Sequence, residues 1–169
     1  MPASKSTRYH EAAHAFAAVY LGIGLRGRGI VLNSDQEAYT EVNYKPHEPT
    51  LDWCIRRAAV MLAAPAARIL EQGQEWHWDT VRSKGEYQSD FDQAKKLLHC
   101  CLKMPFDPNH PDESNSSIDQ LMNCAMKKAR ECVEPNAACI EANTQAMENS
   151  DSFSIEKIQA VIETCSQGG

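Results

Sequence analysis

Apolar positions recur with helical spacing along most of this chain. Residues 7–21, TRYHEAAHAFAAVYL, are alanine-rich and read as a helix capped by Ser6 or Thr7. Gly22 is placed to end it in a left-handed conformation. Gly24, Gly27 and Gly29 then make 23–31 poor helix material. Two extended runs follow, near 29–32 and 39–44, separated by a turn at Asn33-Ser34-Asp35. The alternation in TEVNY predicts a small hairpin or edge strand, closed off by Pro46 and Pro49. A long helical pattern spans 50–71, with Asp52 near its start and Pro65 inside, where a kink or split is expected. Residues 72–88 read as a loop holding Trp76-His77-Trp78, and another helix begins at Ser89 or Asp90. Residues 104–117 are dense in proline, asparagine and serine and read as a second loop. Helices over 118–132, 136–149 and 154–165, the last capped by Ser154, finish the chain. The pattern predicts one mainly α domain over residues 1–169 with one small β-hairpin or edge-strand element.

Composition changes this picture little. The chain is 43% hydrophobic and 24% charged, as expected for a globular domain. A net charge of −6 argues against nonspecific binding to nucleic acid or an anionic membrane. The longest apolar stretch, 58–70, is too short to span a bilayer and contains Pro65 and Arg68. With no apolar leader at the N-terminus, a cytoplasmic location is the expectation. The seven cysteines include no Cys-x-x-Cys pair and are expected to be reduced thiols filling small core positions.

The chemistry is concentrated in His10-Glu11-Ala12-Ala13-His14, an HExxH pattern. Two histidines four apart on a helix are separated by about 40° around the axis and about 6 Å along it. Their imidazoles therefore reach one Zn²⁺ from one face, and Glu11 lies on the flank, free to act as a general base. By chance the pattern arises in about one chain of this size in a few hundred, so it needs its helical context to count. A catalytic zinc takes three protein ligands and keeps one position open. The third ligand is open between His47, His77, His99, His110 and a carboxylate. The sequence lacks the further histidine of the metzincin pattern. His99-Cys100-Cys101 is the one local cluster that would bring a cysteine into a metal site.

Four segments in order resemble the peptidase domain of the FtsH family of ATP-dependent zinc proteases. TRYHEAAHAFAAVYLGI is similar to its zinc-binding helix, and AAVMLAAPAARILEQG to its second helix. GEYQSDFDQAKKLL resembles its Gly-Ala-Ser-x-Asp-Leu segment, and IEANTQAMENSDSFSIEKIQAVI its closing helices. The resemblance implies a helical, zincin-like fold and a zinc metalloendopeptidase. Zinc would sit on His10, His14 and Asp90, with Glu11 as the base and Asp92 as the alternative third ligand. Ala13, Ala64, Pro65 and Arg68 depart from the family's pattern, which alters the charges around the ligands. The resemblance covers the peptidase domain only, and these residues contain no P-loop. The implied substrate is flexible or unfolded polypeptide, taken directly or from a separate unfoldase or adaptor, with an oligomer compatible. The alternative is a catalytically inactive domain of the same kind, zinc-bound or metal-free, that serves as a protein-interaction module.

Overall fold

The structure is a computed structural model that describes residues 3–74, 85–103 and 118–167. It is mainly helical, with a small three-stranded antiparallel sheet. Helix α1 (Lys5–Tyr20) leads into strands β1 (Leu25–Leu32) and β2 (Ala38–Val42). Helix α2 (Leu51–Glu71) follows, then a 3-10 turn at Gly85–Tyr87 running into α3 (Gln88–Cys101). Helices α4 (Ile118–Val133) and α5 (Ala137–Ala146), strand β3 (Ser152–Phe153) and helix α6 (Ile155–Gln167) complete it.

Helix α1 starts two to three residues earlier than its sequence indicates. Its cap is Ser4, not Ser6 or Thr7, and the Ser4 hydroxyl accepts the Thr7 backbone N–H at 3.2 Å. Asp35, in the hairpin loop, fixes this choice by accepting the Ser4 N–H and the Thr7 hydroxyl, both at 2.6 Å. The helix ends as expected. Gly22 has φ +68°, its N–H bonds the Val19 carbonyl, and the Ile23 N–H bonds the Ala18 carbonyl. That pairing satisfies two carbonyls the helix leaves open.

The hairpin is present, with Ile30 opposite Thr40 and Leu32 opposite Ala38. Its sheet runs β2-β1-β3, so β2 is an edge strand. The third strand is only two residues long and carries no alternation that a sequence reading registers. It reaches β1 because Gly29, at φ +79°, lets the chain pass close: a Cβ there would lie 2.7 Å from the Phe153 carbonyl oxygen.

Helix α2 is the centre of the molecule, packed against α1, α3 and α4. Thr50 caps it, and it runs unbroken through Pro65, so the expected split does not occur. Proline removes one ladder bond, but Ala63, Ala64, Ala66 and Ala67 around it are all buried, and tertiary packing holds the turn. Small side chains at these positions let neighbouring helices approach closely. Cys54 of α2 and Cys101 of α3 form a disulfide, with Cα atoms 6.5 Å apart. This corrects the expectation of free thiols for these two. Their separation of 47 residues hides the pairing from any spacing rule. Cys100, Cys124, Cys132, Cys139 and Cys165 stand outside any disulfide among the described residues. Among the described residues no helix is long and apolar enough to cross a membrane.

Candidate metal centre

The i, i+4 spacing on α1 puts His10 and His14 on one face, their Nε2 atoms 3.1 Å apart. Asp90 comes from α3, far along the chain. It occupies the third position of that helix, not the cap; the cap is Tyr87, which makes no side-chain cap bond. Asp90 is thereby released from capping and aims its Oδ2 at both rings. That oxygen lies 3.3 Å from His10 Nε2 and 3.6 Å from His14 Nε2. It is buried and makes no hydrogen bond.

These three atoms form a triangle with edges of 3.1, 3.3 and 3.6 Å. Donors at zinc's usual nitrogen and oxygen distances, set tetrahedrally, are about 3.3–3.4 Å apart. The triangle therefore has the size a tetrahedral zinc requires, and two imidazoles with one carboxylate are a donor set zinc accepts. His14 is oriented for it. Its Nδ1 lies 2.8 Å from the Val60 carbonyl of α2, which only accepts, so Nδ1 keeps its proton in the neutral ring and Nε2 is the atom that would face an ion once it loses its own. Among the described residues this is the one group of three such side chains close enough to hold an ion.

Glu11 is buried beside the triangle, 7% exposed. The Thr40 hydroxyl on β2 lies 2.7 Å from Glu11 Oε2 and 3.0 Å from the Glu11 main-chain oxygen, tying the carboxylate to the sheet edge. Burial raises the Glu11 pKa; His14 and the Thr40 bond oppose it. The two histidines diverge. Burial, reinforced by His14, lowers His10 to about 4. Burial also disfavours charge on His14, but the Asp90 carboxylate outweighs it and raises His14 to about 9. Burial opposes ionisation of Asp90, yet His14 holds its pKa below the usual value. Two imidazoles and a carboxylate thus share one proton in a group that could hold a cation.

A cavity of about 330 Å³ opens on this group. Besides the triangle it is lined by Glu11, Tyr39, Thr40, Arg57, Met61 and Gln93.

The structure brings His10, Glu11, His14 and Asp90 together. It turns Asp92 away: that carboxylate is exposed and accepts from Gln88 at 2.8 Å. His47 and His99 are exposed, and Cys101 is in the disulfide, so no cysteine joins the site. His110 and Trp76-His77-Trp78 lie outside the described residues. Sequence reasoning missed Thr40, the Val60 carbonyl and Arg57. The alternating run around Thr40 was the one available signal, since a backbone acceptor has no residue signature.

No protein-family model matches this chain, and no curated protein matches it. Geometry therefore carries the functional reading.

Proposed function

We propose that the chain is a zinc-dependent metalloendopeptidase with a zincin-like, FtsH-peptidase kind of fold, hydrolysing flexible or unfolded polypeptide. The observation that carries this reading is the 3.1–3.6 Å triangle of His10, His14 and Asp90 with Glu11 alongside, opening on a cavity bordered by a sheet edge.

His10 Nε2, His14 Nε2 and Asp90 Oδ2 would hold the ion. Zinc supplies a Lewis acid that acidifies water and polarises a peptide carbonyl. Glu11 takes the proton from the attacking water and returns it to the departing amine. Its raised pKa brings it closer to the range in which a carboxylate does both. Thr40 occupies Oε2, leaving Oε1 to receive that proton. The outer edge of β2 offers backbone groups to an extended substrate, which gives affinity with little sequence preference. Such a groove admits an unfolded strand and excludes folded structure, so a separate unfoldase or adaptor is a compatible partner.

Glu11→Gln tests the reading. The variant keeps its zinc and loses cleavage of an unfolded protein substrate by about 10²–10⁴-fold. A variant that cleaves like the wild type contradicts the proposal. Zinc in the wild type without any cleavage favours the interaction-module alternative.

A further inference from the structure

One charged group in the cavity has no task in the chemistry above. Arg57, half-buried on α2, lines the same cavity as His10, Glu11, His14 and Asp90. It shares that lining with Val60 and Met61, one turn further along the helix, where the Val60 carbonyl holds His14. Among the described residues Arg57 makes no hydrogen bond or ion pair. Every other arginine there does. Arg56 bonds Asp52 and the Leu21 carbonyl, and Arg68 bonds Glu71. Arg26 and Arg28 bond tyrosine hydroxyls, Arg8 bonds the Ala3 carbonyl, and Arg130 bonds Glu134. The two carboxylates in the cavity are already engaged, Asp90 by the histidines and Glu11 by Thr40.

With no carboxylate beside it, Arg57 keeps its guanidinium donors available to an anionic group that enters the cavity. Burial alone depresses the Arg57 pKa, with no neighbouring charge relieving it. The group that matches its planar fork is a carboxylate, which it binds through two parallel bonds.

We propose that Arg57 is a carboxylate-reading subsite, selecting peptides that place a carboxylate in the cavity close to the bond held over His10, His14 and Asp90. This rests on the peptidase reading and gives it a substrate class. The carboxylate comes from an acidic side chain or from the chain's own C-terminus. Both present the same chemistry, and different peptides separate them.

The experiment is direct binding to zinc-loaded protein carrying Glu11→Gln, which holds cleavage off. Four short peptides of otherwise identical sequence are compared: a free C-terminus, its amide, the amide with an internal Asp, and the amide with Asn at that place. The same titrations are run with Arg57→Met and Arg57→Lys added, with zinc content and thermal unfolding checked for each. The proposal predicts that at least one carboxylate peptide binds about tenfold or more tighter than its neutral counterpart. That preference falls to about one in Arg57→Met and is partly kept in Arg57→Lys, with zinc unchanged. Preference for the free C-terminus identifies the terminal carboxylate, and preference for Asp over Asn the side chain. Equal affinities for charged and neutral peptides overturn the subsite, as does a preference that survives Arg57→Met, or no binding by any peptide. The peptidase reading is judged separately, by wild-type cleavage of an unfolded protein. Cleavage that persists without a carboxylate preference removes Arg57's role and leaves the zinc chemistry standing.

Discussion

At the scale of single residues, the site is a contest for one proton. With His10 held to about 4 and His14 raised to about 9, the metal-free site near neutral pH carries a proton on His14 and none on His10. A zinc ligand must be unprotonated. Binding at pH 7 therefore releases about one proton per zinc, and affinity rises about tenfold per pH unit between about 4 and 9 before levelling. Titration calorimetry in buffers of different ionisation enthalpy measures that proton; a value near zero contradicts the protonation scheme. Thr40 acts one step away. Thr40→Val removes the 2.7 Å bond to Glu11 and lowers kcat about tenfold with KM and zinc content unchanged. Thr40→Ser restores it. Loss of zinc in Thr40→Val would instead make the contact purely structural. Residues on one helix were legible: His10, Glu11 and His14 follow from helical spacing alone. Asp90 was not fixed by spacing, because α2 and its packing intervene, and only resemblance to a family selected it. Thr40 and Val60 were illegible because their contacts join separate elements.

At the scale of elements, hydrophobic periodicity located the long helices, and the alternation around Thr40 with the turn at Asn33-Ser34-Asp35 placed the hairpin. Local competition decided the details. Ser4 outcompetes Thr7 as the cap because Asp35 binds both, a contact between residues distant in sequence. Pro65 fails to split α2 because its surroundings are alanine-lined and buried. The two-residue β3 depends on a glycine in another strand. Gly29→Val places a Cβ against the Phe153 carbonyl oxygen at a backbone conformation that β-branched residues avoid. It is expected to cost about 2–3 kcal/mol in urea unfolding. An unchanged midpoint would show that the β1–β3 pairing contributes little to the fold.

At the scale of the whole molecule, three parts converge on one point. Helix α1 supplies two imidazoles and a carboxylate, α3 supplies Asp90, and the edge strand β2 supplies Thr40 and an open row of backbone groups. Helix α2 lies between α1 and α3, holds His14 through Val60, carries Arg57, and is joined to α3 by the Cys54–Cys101 disulfide. The element that carries Asp90 is thus fixed to the element that orients His14. The most direct test of this convergence is the metal content of the purified protein by elemental analysis, on wild type, His14→Ala and Asp90→Ala together. The expected result is about one zinc per chain in the wild type, lost or sharply weakened in both variants. A wild type that takes up no zinc after reconstitution, or variants that keep it, would contradict the site.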